Sequence, residues 1–511
     1  VGDQAAGDLG DAQPHLTEPA VQNRRPIVNS LREDYMWAEH NLSAIQDNLH
    51  ESTDKQVHWA PPSGPVLGPS GLSAAELYKR AIEGETMSFA YAGIDAPGCS
   101  VIMSVEAANV RLDGIGTCRK PACCWAIEND KECQRELKLH PSNIMELRGD
   151  LDDFWTDEIR RELTNMKAAG EDISLCDLVP LVQSGVAVNI KQQDLRGGDT
   201  RRPVTTDVHV AGISRRPFAA IGAHAGETSK GMTAMAAWAA VIWILNIKVL
   251  IVEQSDLFDG AILQKLFGSK YIWQSMILDG PDFGHPVRRK GFYGIGHRRE
   301  KVGPAIASMA NVMPVFYREL GKSFTFHDFT IVPAGSDEAR SELDWARNRK
   351  KSLAYARPIQ QLLAQPHPFE ETLTDAEKKI LNDYEQAYPP NMVCSLNQRP
   401  EHNRGMQSNG QVMYTITRNP SIDFNTSRKC RRWLFPTELM IAQGLPVLSW
   451  MTSPSGSANR IATSYSAGAL MTRNRQSVKH QIGDTMQVMV IGSAITYAFL
   501  FTDWETPTLT L

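Results

Sequence analysis

Between Cys176 and Cys394 the chain has no cysteine, and that gap spans the middle of its longest run of regular helix and strand signals. Chemistry that needs a thiolate from that stretch is excluded. The eight cysteines among 511 residues show no paired small-domain spacing, which points to reduced thiols rather than a disulfide-built scaffold. Cys118, Cys123, Cys124 and Cys133 cluster without a repeated C-x2-C pair, so packed thiols are favoured over zinc and no metal is expected. Long apolar runs are also missing. Met232–Leu245 and Val488–Phe501 are 14 residues each, short of the ~20 that a membrane-spanning helix needs. Both are expected as buried core, with no membrane span. Neither sign of charge dominates: 53 Lys and Arg face 58 Asp and Glu, for a net charge of −5. Binding to nucleic acid would therefore need a local basic patch.

What is present is ordinary globular composition, 42% apolar and 22% charged, in a chain long enough for two or three domains. Residues 1–72 form a polar arm. Its acidic residues run from Asp3 to Asp54 against only Arg24, Arg25, Arg32 and Lys55, and Pro61 to Gly71 reads as a linker. Such a segment cannot order itself alone. It needs the body of the chain or a partner to lie on, as in a larger assembly of protein subunits. Val1 at the start is what a removed leader would leave.

From Ser73 helix and strand signals alternate. Ala74–Ile82 reads as a helix, Met87–Tyr91 and Ala122–Ile127 as strands, and Lys131–Leu139 as a helix. A third strand ends near Asp150. His209–Ile213, Val249–Glu253 and Phe292–Ile295 read as strands, with a helix over Thr233–Leu245. Strands separated by helices predict a parallel α/β sheet. Residues 303–430, with a charged helix over Ser336–Ala356, break the rhythm and read as an inserted domain. The expected divisions are 1–72, 73–302, 303–430 and 431–511, the last returning to the core.

Ligands of such sheets sit at the carboxyl ends of the strands. Glu128, closing the second strand, suits two ribose hydroxyls, and Asp150, at the end of the third, an adenine amino group; each is equally suited to capping a helix. The order of the motifs goes further. Ala126-Ile127-Glu128-Asn129-Asp130, Gly212-Ile213-Ser214-Arg215-Arg216-Pro217-Phe218, Ile251-Val252-Glu253-Gln254 and Gly284-His285-Pro286-Val287-Arg288-Arg289 follow one another. Leu434-Phe435-Pro436-Thr437-Glu438 with Gln443-Gly444-Leu445-Pro446, and then Gln481-Ile482-Gly483-Asp484-Thr485-Met486, come after the insertion. In this order they resemble the cytosine-C5 DNA methyltransferase family over about residues 86–302 and 428–502. The resemblance implies a Rossmann-like class I S-adenosylmethionine-dependent methyltransferase fold with an inserted target-recognition-like domain. It implies cofactor contacts at Phe89, Gly93, Glu128, Asp150 and Asp484, and a catalytic set at the positions of Arg215, Glu253 and Arg289.

The departures bear on function. The resemblance puts the family's nucleophilic cysteine at Arg215, and a guanidinium stays protonated and does not attack carbon. Ser214 and Arg216 replace the flanking proline and glutamine, and Phe89-Ala90-Tyr91-Ala92-Gly93 keeps one glycine of the cofactor loop. Pro436, Glu438, Gly444 and Pro446, which shape turns and packing, match. The pattern is that of a pseudoenzyme: a catalytically inactive relative serving as a scaffold subunit, with no cofactor expected. Two alternatives stand beside it. One is a pseudomethyltransferase that binds S-adenosylmethionine or nucleic acid and regulates a partner; the other is an active DNA methyltransferase. Basic clusters at Arg288–Lys290, Arg298–Lys301, Arg347–Lys351 and Arg428–Arg432 suit phosphates or acidic partners, or salt bridges within the chain. The sequence assigns no compartment; the resemblance implies a nucleus, and a processed Val1 an organelle.

Overall fold

The computed structural model describes residues 122–139, 146–212, 231–316, 330–349, 357–402, 412–444 and 478–504, apart from short gaps and single positions. It also describes Phe218 and the backbone of Ser88–Gly93. The expected helix at Ala74–Ile82 lies outside these residues, as do the arm, Arg215 and Asp484.

Seven strands form the central sheet: β1 (Ser88–Gly93), β2 (Ala122–Ile127), β3 (Glu146–Arg148), β6 (Val208–Gly212), β7 (Val249–Ser255), β8 (Tyr271–Leu278) and β9 (Gly291–Arg298). A two-residue pair, β4 (Gln192–Gln193) and β5 (Thr200–Arg201), stands apart. The order across the sheet is β3-β2-β1-β6-β7-β9-β8. The five strands from β3 to β7 are parallel, while β9 runs antiparallel to both β7 and β8. This is the Rossmann-like class I methyltransferase sheet, with its one reversed strand. The reversal corrects the all-parallel expectation. Only the Asp279–Lys290 connection separates β8 from β9, too short for a crossover helix, so the two pair as a hairpin.

Strand β7 is buried throughout, and apolar from Val249 to Val252, because helices cover both faces of the sheet. On one face lie α2 (Asp157–Ala168), α3 (Leu175–Ser184), α4 (Met232–Leu245) and α5 (Ala261–Phe267). On the other lie α1 (Lys131–Leu139), α6 (Met309–Val312) and α12 (Val488–Phe501). Helix α4 is apolar all round and buried nearly all round, wedged between sheet and α3, as its length and composition predict. No helix among the described residues is long and apolar enough to cross a membrane.

A third core gathers residues 332–435. It packs α7 (Asp337–Asn348), α8 (Ile359–Leu363), α9 (Pro368–Glu371) and α10 (Asp375–Ala387) around a small antiparallel sheet. That sheet is β10 (Val393–Ser395), β11 (Asp423–Asn425) and β12 (Arg432–Trp433). From β12 the chain enters α11 (Pro436–Ala442). Glu438 binds this junction: its carboxylate takes two bonds from Arg432, at 2.7 and 2.8 Å, and the backbone N–H groups of Val332 and Phe435. All four contacts are buried, so the L-F-P-T-E segment ties the third core to the main one through one charge pair.

Candidate functional site

Strand register assembles the site at the carboxyl edge of the sheet. Gly93 of β1 pairs with Gly212 of β6, Gly212 with Glu253 of β7, and Glu253 with Tyr293 of β9. On the other side Ala92 pairs with Ile127, and the Glu128 N–H donates to the Arg148 carbonyl at 3.1 Å. Glu128, Gly93 and Glu253 thus stand on one edge. Strands in a sheet are ~4.8 Å apart, so the two glutamates, three strands from each other, are about 14 Å apart. The backbone of Phe89 pairs with Val208, near the other end of β1.

Glu128 is fully buried, and one carboxylate oxygen accepts from the Asp130 N–H at 2.9 Å. The Gln134 side-chain amide holds the Glu128 carbonyl at 2.6 Å, so the bend from β2 into α1 is pinned on both sides. Asp150 follows β3 by two residues and caps a short 3-10 turn, accepting from the Asp152 N–H at 3.1 Å. Burial raises the pKa of the neighbouring Asp152, against the opposing pull of the Lys167 ammonium. Both acids stand at the carboxyl edge of the sheet, after adjacent strands. Each also performs the local turn-stabilising job that strand-end acids commonly do.

Glu253 is buried, with the Gly291 backbone packed beside it: a Cβ placed on Gly291 would come 3.5 Å from the Glu253 carboxylate and 3.0 Å from the Gln254 carbonyl. Strand β6 ends at Gly212, the register partner of Glu253, and Arg215 lies three residues further along the chain, outside the described residues. Three residues past Arg215, Phe218 is buried edge-on to Phe258, with ring centroids 4.9 Å apart. Of the described cysteines, Cys124, Cys133 and Cys394 are buried, and burial pushes the Cys394 thiol far above its ordinary pKa. Cys176 is exposed on α3.

Arg289 sits in the loop between β8 and β9. Its guanidinium donates to the Gly483 carbonyl at 2.8 Å, and its N–H to the Asp279 carboxylate at the same distance. Nearby, the Gln487 side chain donates to the Val287 carbonyl at 2.7 Å, and a Cβ on Gly280 would overlap both groups. Gly444, with φ of +83°, packs against His285: a Cβ there would stand 2.7 Å from the imidazole. The late segments therefore lock the β8–β9 loop in place. Asp279 and Gln487 are the participants that sequence reasoning missed. Asp279 is an acid closing a strand, the signal that found Glu128, but its strand β8 had not been read.

Several basic groups of the sequence clusters are already paired inside the protein. Arg349 bonds Glu377, Arg431 bonds Glu370 and Glu385, and Arg347 bonds Asp344. Arg288 is exposed, 3.9 Å from Asp279. His209, in the middle of the sheet, accepts from the Trp238 indole at 3.0 Å, and burial lowers its pKa to about 3. It is a neutral core histidine.

No protein family model matches this chain, and no curated protein matches it. Solved structures do resemble it. The Schizosaccharomyces pombe (S. pombe) Dnmt2 methyltransferase is similar at 10% identity, over 80% of this chain and 98% of the other, with a TM-score of 0.42. The Entamoeba histolytica methyltransferase EhMeth is similar at 11% identity, over 81% and 98%, with a TM-score of 0.41. A putative DNA modification methyltransferase encoded within a prophage of E. coli is similar at 12% identity, over 81% and 97%, with a TM-score of 0.38. At these values the fold assignment stands on the strand order and the reversed β9.

Proposed function

We propose that this chain is a catalytically inactive relative of the cytosine-C5 methyltransferases, serving as a structural subunit of a larger protein assembly. The observation that carries the reading is Arg215, standing where the resemblance requires a nucleophilic thiolate, in a stretch of 217 residues without cysteine. Attack on cytosine C6 is the step that makes C5 reactive, and without a thiolate it does not occur. Losing such a nucleophile costs on the order of 10⁶ in rate. Glu253 then has no covalent intermediate to assist, and Arg289, bonded to Gly483 and Asp279, acts as a strut of the β8–β9 loop. Radiolabelled methyl transfer to duplex DNA tests the catalytic half. No turnover above background is expected, and robust turnover abolished by Glu253→Gln would overturn it.

One observation favours a second reading, a pseudomethyltransferase that retains S-adenosylmethionine and regulates a partner. Glu128 and Asp150 follow adjacent strands at the sheet edge, and this supports their taking the ribose hydroxyls and the adenine amino group. When bound, that cofactor supplies an electrophilic methyl group; these two residues would only hold its adenosine. Calorimetric titration with S-adenosylmethionine distinguishes the readings. Measurable heat that disappears in Glu128→Ala selects the second; no heat selects the first.

A further inference from the structure

The end of the sheet opposite the candidate site collects cations. Lys248 precedes β7 and Lys270 precedes β8. Because β9 runs the other way, its last residues arrive beside them: the Arg298 N–H donates to the Lys248 carbonyl at 2.9 Å, and the Arg299 N–H to the Lys270 carbonyl at 3.0 Å. Lys301 follows in the turn, its N–H on the Arg298 carbonyl at 3.0 Å. Two carboxylates answer this group: Asp207, 2.6 Å from the Lys248 ammonium, and Glu300, 3.3 Å from the Arg298 guanidinium. The Lys270 ammonium lies over the Trp243 ring, 3.5 Å from its centre. Among the described residues no carboxylate is within ion-pair distance of Lys270, Arg299 or Lys301. Burial, and then the Arg298 charge, lower the pKa of Lys270, as crowding of like charges should. Helices α4 and α5 finish at this end, and their dipoles offset part of the charge, but that effect fades within the last turn.

The chain carries a complement. Residues 1–54 hold ten Asp and Glu against Arg24, Arg25 and Arg32. The fold also brings the chain that follows them to the same place. Phe89 pairs with Val208, Val208 with Val249, and Val249 with His297, so β1 begins in the row that ends β9. Three strand spacings, about 14 Å, separate them. The 33 residues from 55 to 87 provide far more contour than that, at up to ~3.3 Å per residue.

We propose that the basic end of the sheet, formed by Lys248, Lys270, Arg299 and Lys301 above the buried Arg298, is the docking surface for the acidic segment of residues 1–54 of the same chain. The segment then covers a surface that would otherwise attract polyanions, and the arm belongs to the chain's own body rather than to another subunit.

Zero-length carbodiimide coupling of the full chain, read by mass spectrometry, tests this. An equal mixture of ¹⁵N-labelled and unlabelled chains separates links within a chain from links between chains. Links within one chain joining Lys248, Lys270 or Lys301 to acids of residues 1–54 are expected. They should fall at least about fivefold between 0.05 and 1 M NaCl, as screening shortens the Debye length. The variant Lys301→Glu, at an exposed position, should reduce them while leaving the melting temperature unchanged. The proposal is overturned if the segment's acids couple to other lysines, if the links run between chains, or if these three lysines couple only to Asp207 and Glu300. The wild-type measurement decides even where the variant fails to fold.

Discussion

Single residues in this molecule show how a site residue and a structural residue differ by their partners. Arg289 stands at a catalytic position by resemblance, but its contacts are the Gly483 carbonyl and the Asp279 carboxylate. Arg289→Ala should therefore lower stability by about 1–3 kcal/mol, since a buried carbonyl loses its donor; denaturant unfolding measures this. Glu338 offers a pH test. It is buried at the joint between α7 and α11, accepts from the Thr437 N–H at 3.1 Å, and has its pKa raised to about 8, first by burial and then by the nearby Glu438 and Glu342 charges. A folded-state pKa above the ordinary 4.5 means that the neutral form is the one the fold accommodates. Its contribution to stability is fully present below pH 4.5 and is lost as pH rises through about 8. Thermal unfolding of Glu338→Gln should lose much of the wild type's decline between pH 5 and 8; an unchanged decline would place the titration elsewhere.

Elements were legible where punctuation was sharp. Strand β2 and helix α1 match their expected bounds, because Pro121 precedes the strand and Glu128-Asn129-Asp130 separates strand from helix. Helix α4 gained one residue and β7 two. Strand β8 escaped because Tyr271-Ile272-Trp273-Gln274-Ser275-Met276-Ile277-Leu278 follows α5 almost directly, with no clean alternation to mark it. The direction of β9 was illegible for a related reason: it depends on pairing with β8 and not on any residue within β9. The placement of Glu128, just after β2, and of Glu253, within β7, at the carboxyl edge was legible because local pattern and fold coincide there. The roles of Arg289, Asp279 and Gln487 were not, because their partners are distant in sequence. Gly444 gives the test at this scale. It follows α11 with φ of +83° and lies against His285. Gly444→Ala should cost about 1–3 kcal/mol from the left-handed backbone and the contact together, read as a lowered Tm.

At the scale of the whole molecule, specific buried links among the described residues join the cores. The main sheet is packed on both faces, and the third core is tied to it by Glu438 with Arg432. A second tie is the buried pair Lys479 and Asp423, 2.8 Å apart, with Tyr414 on the other Asp423 oxygen at 2.7 Å. Lys479→Met leaves Asp423 buried without its cation, a loss of roughly 3–5 kcal/mol. Limited proteolysis should then release the third core's segments more readily. These links hold the methyltransferase-like fold together independently of any methyl transfer, and the proposed structural role is a separate claim.

The most direct test of that account is the native mass and composition of the particle in which the full chain purifies, by sizing with mass spectrometry. The account predicts a large stoichiometric complex with unrelated protein subunits. A free monomer, or a chain carrying only S-adenosylmethionine or nucleic acid, would contradict it.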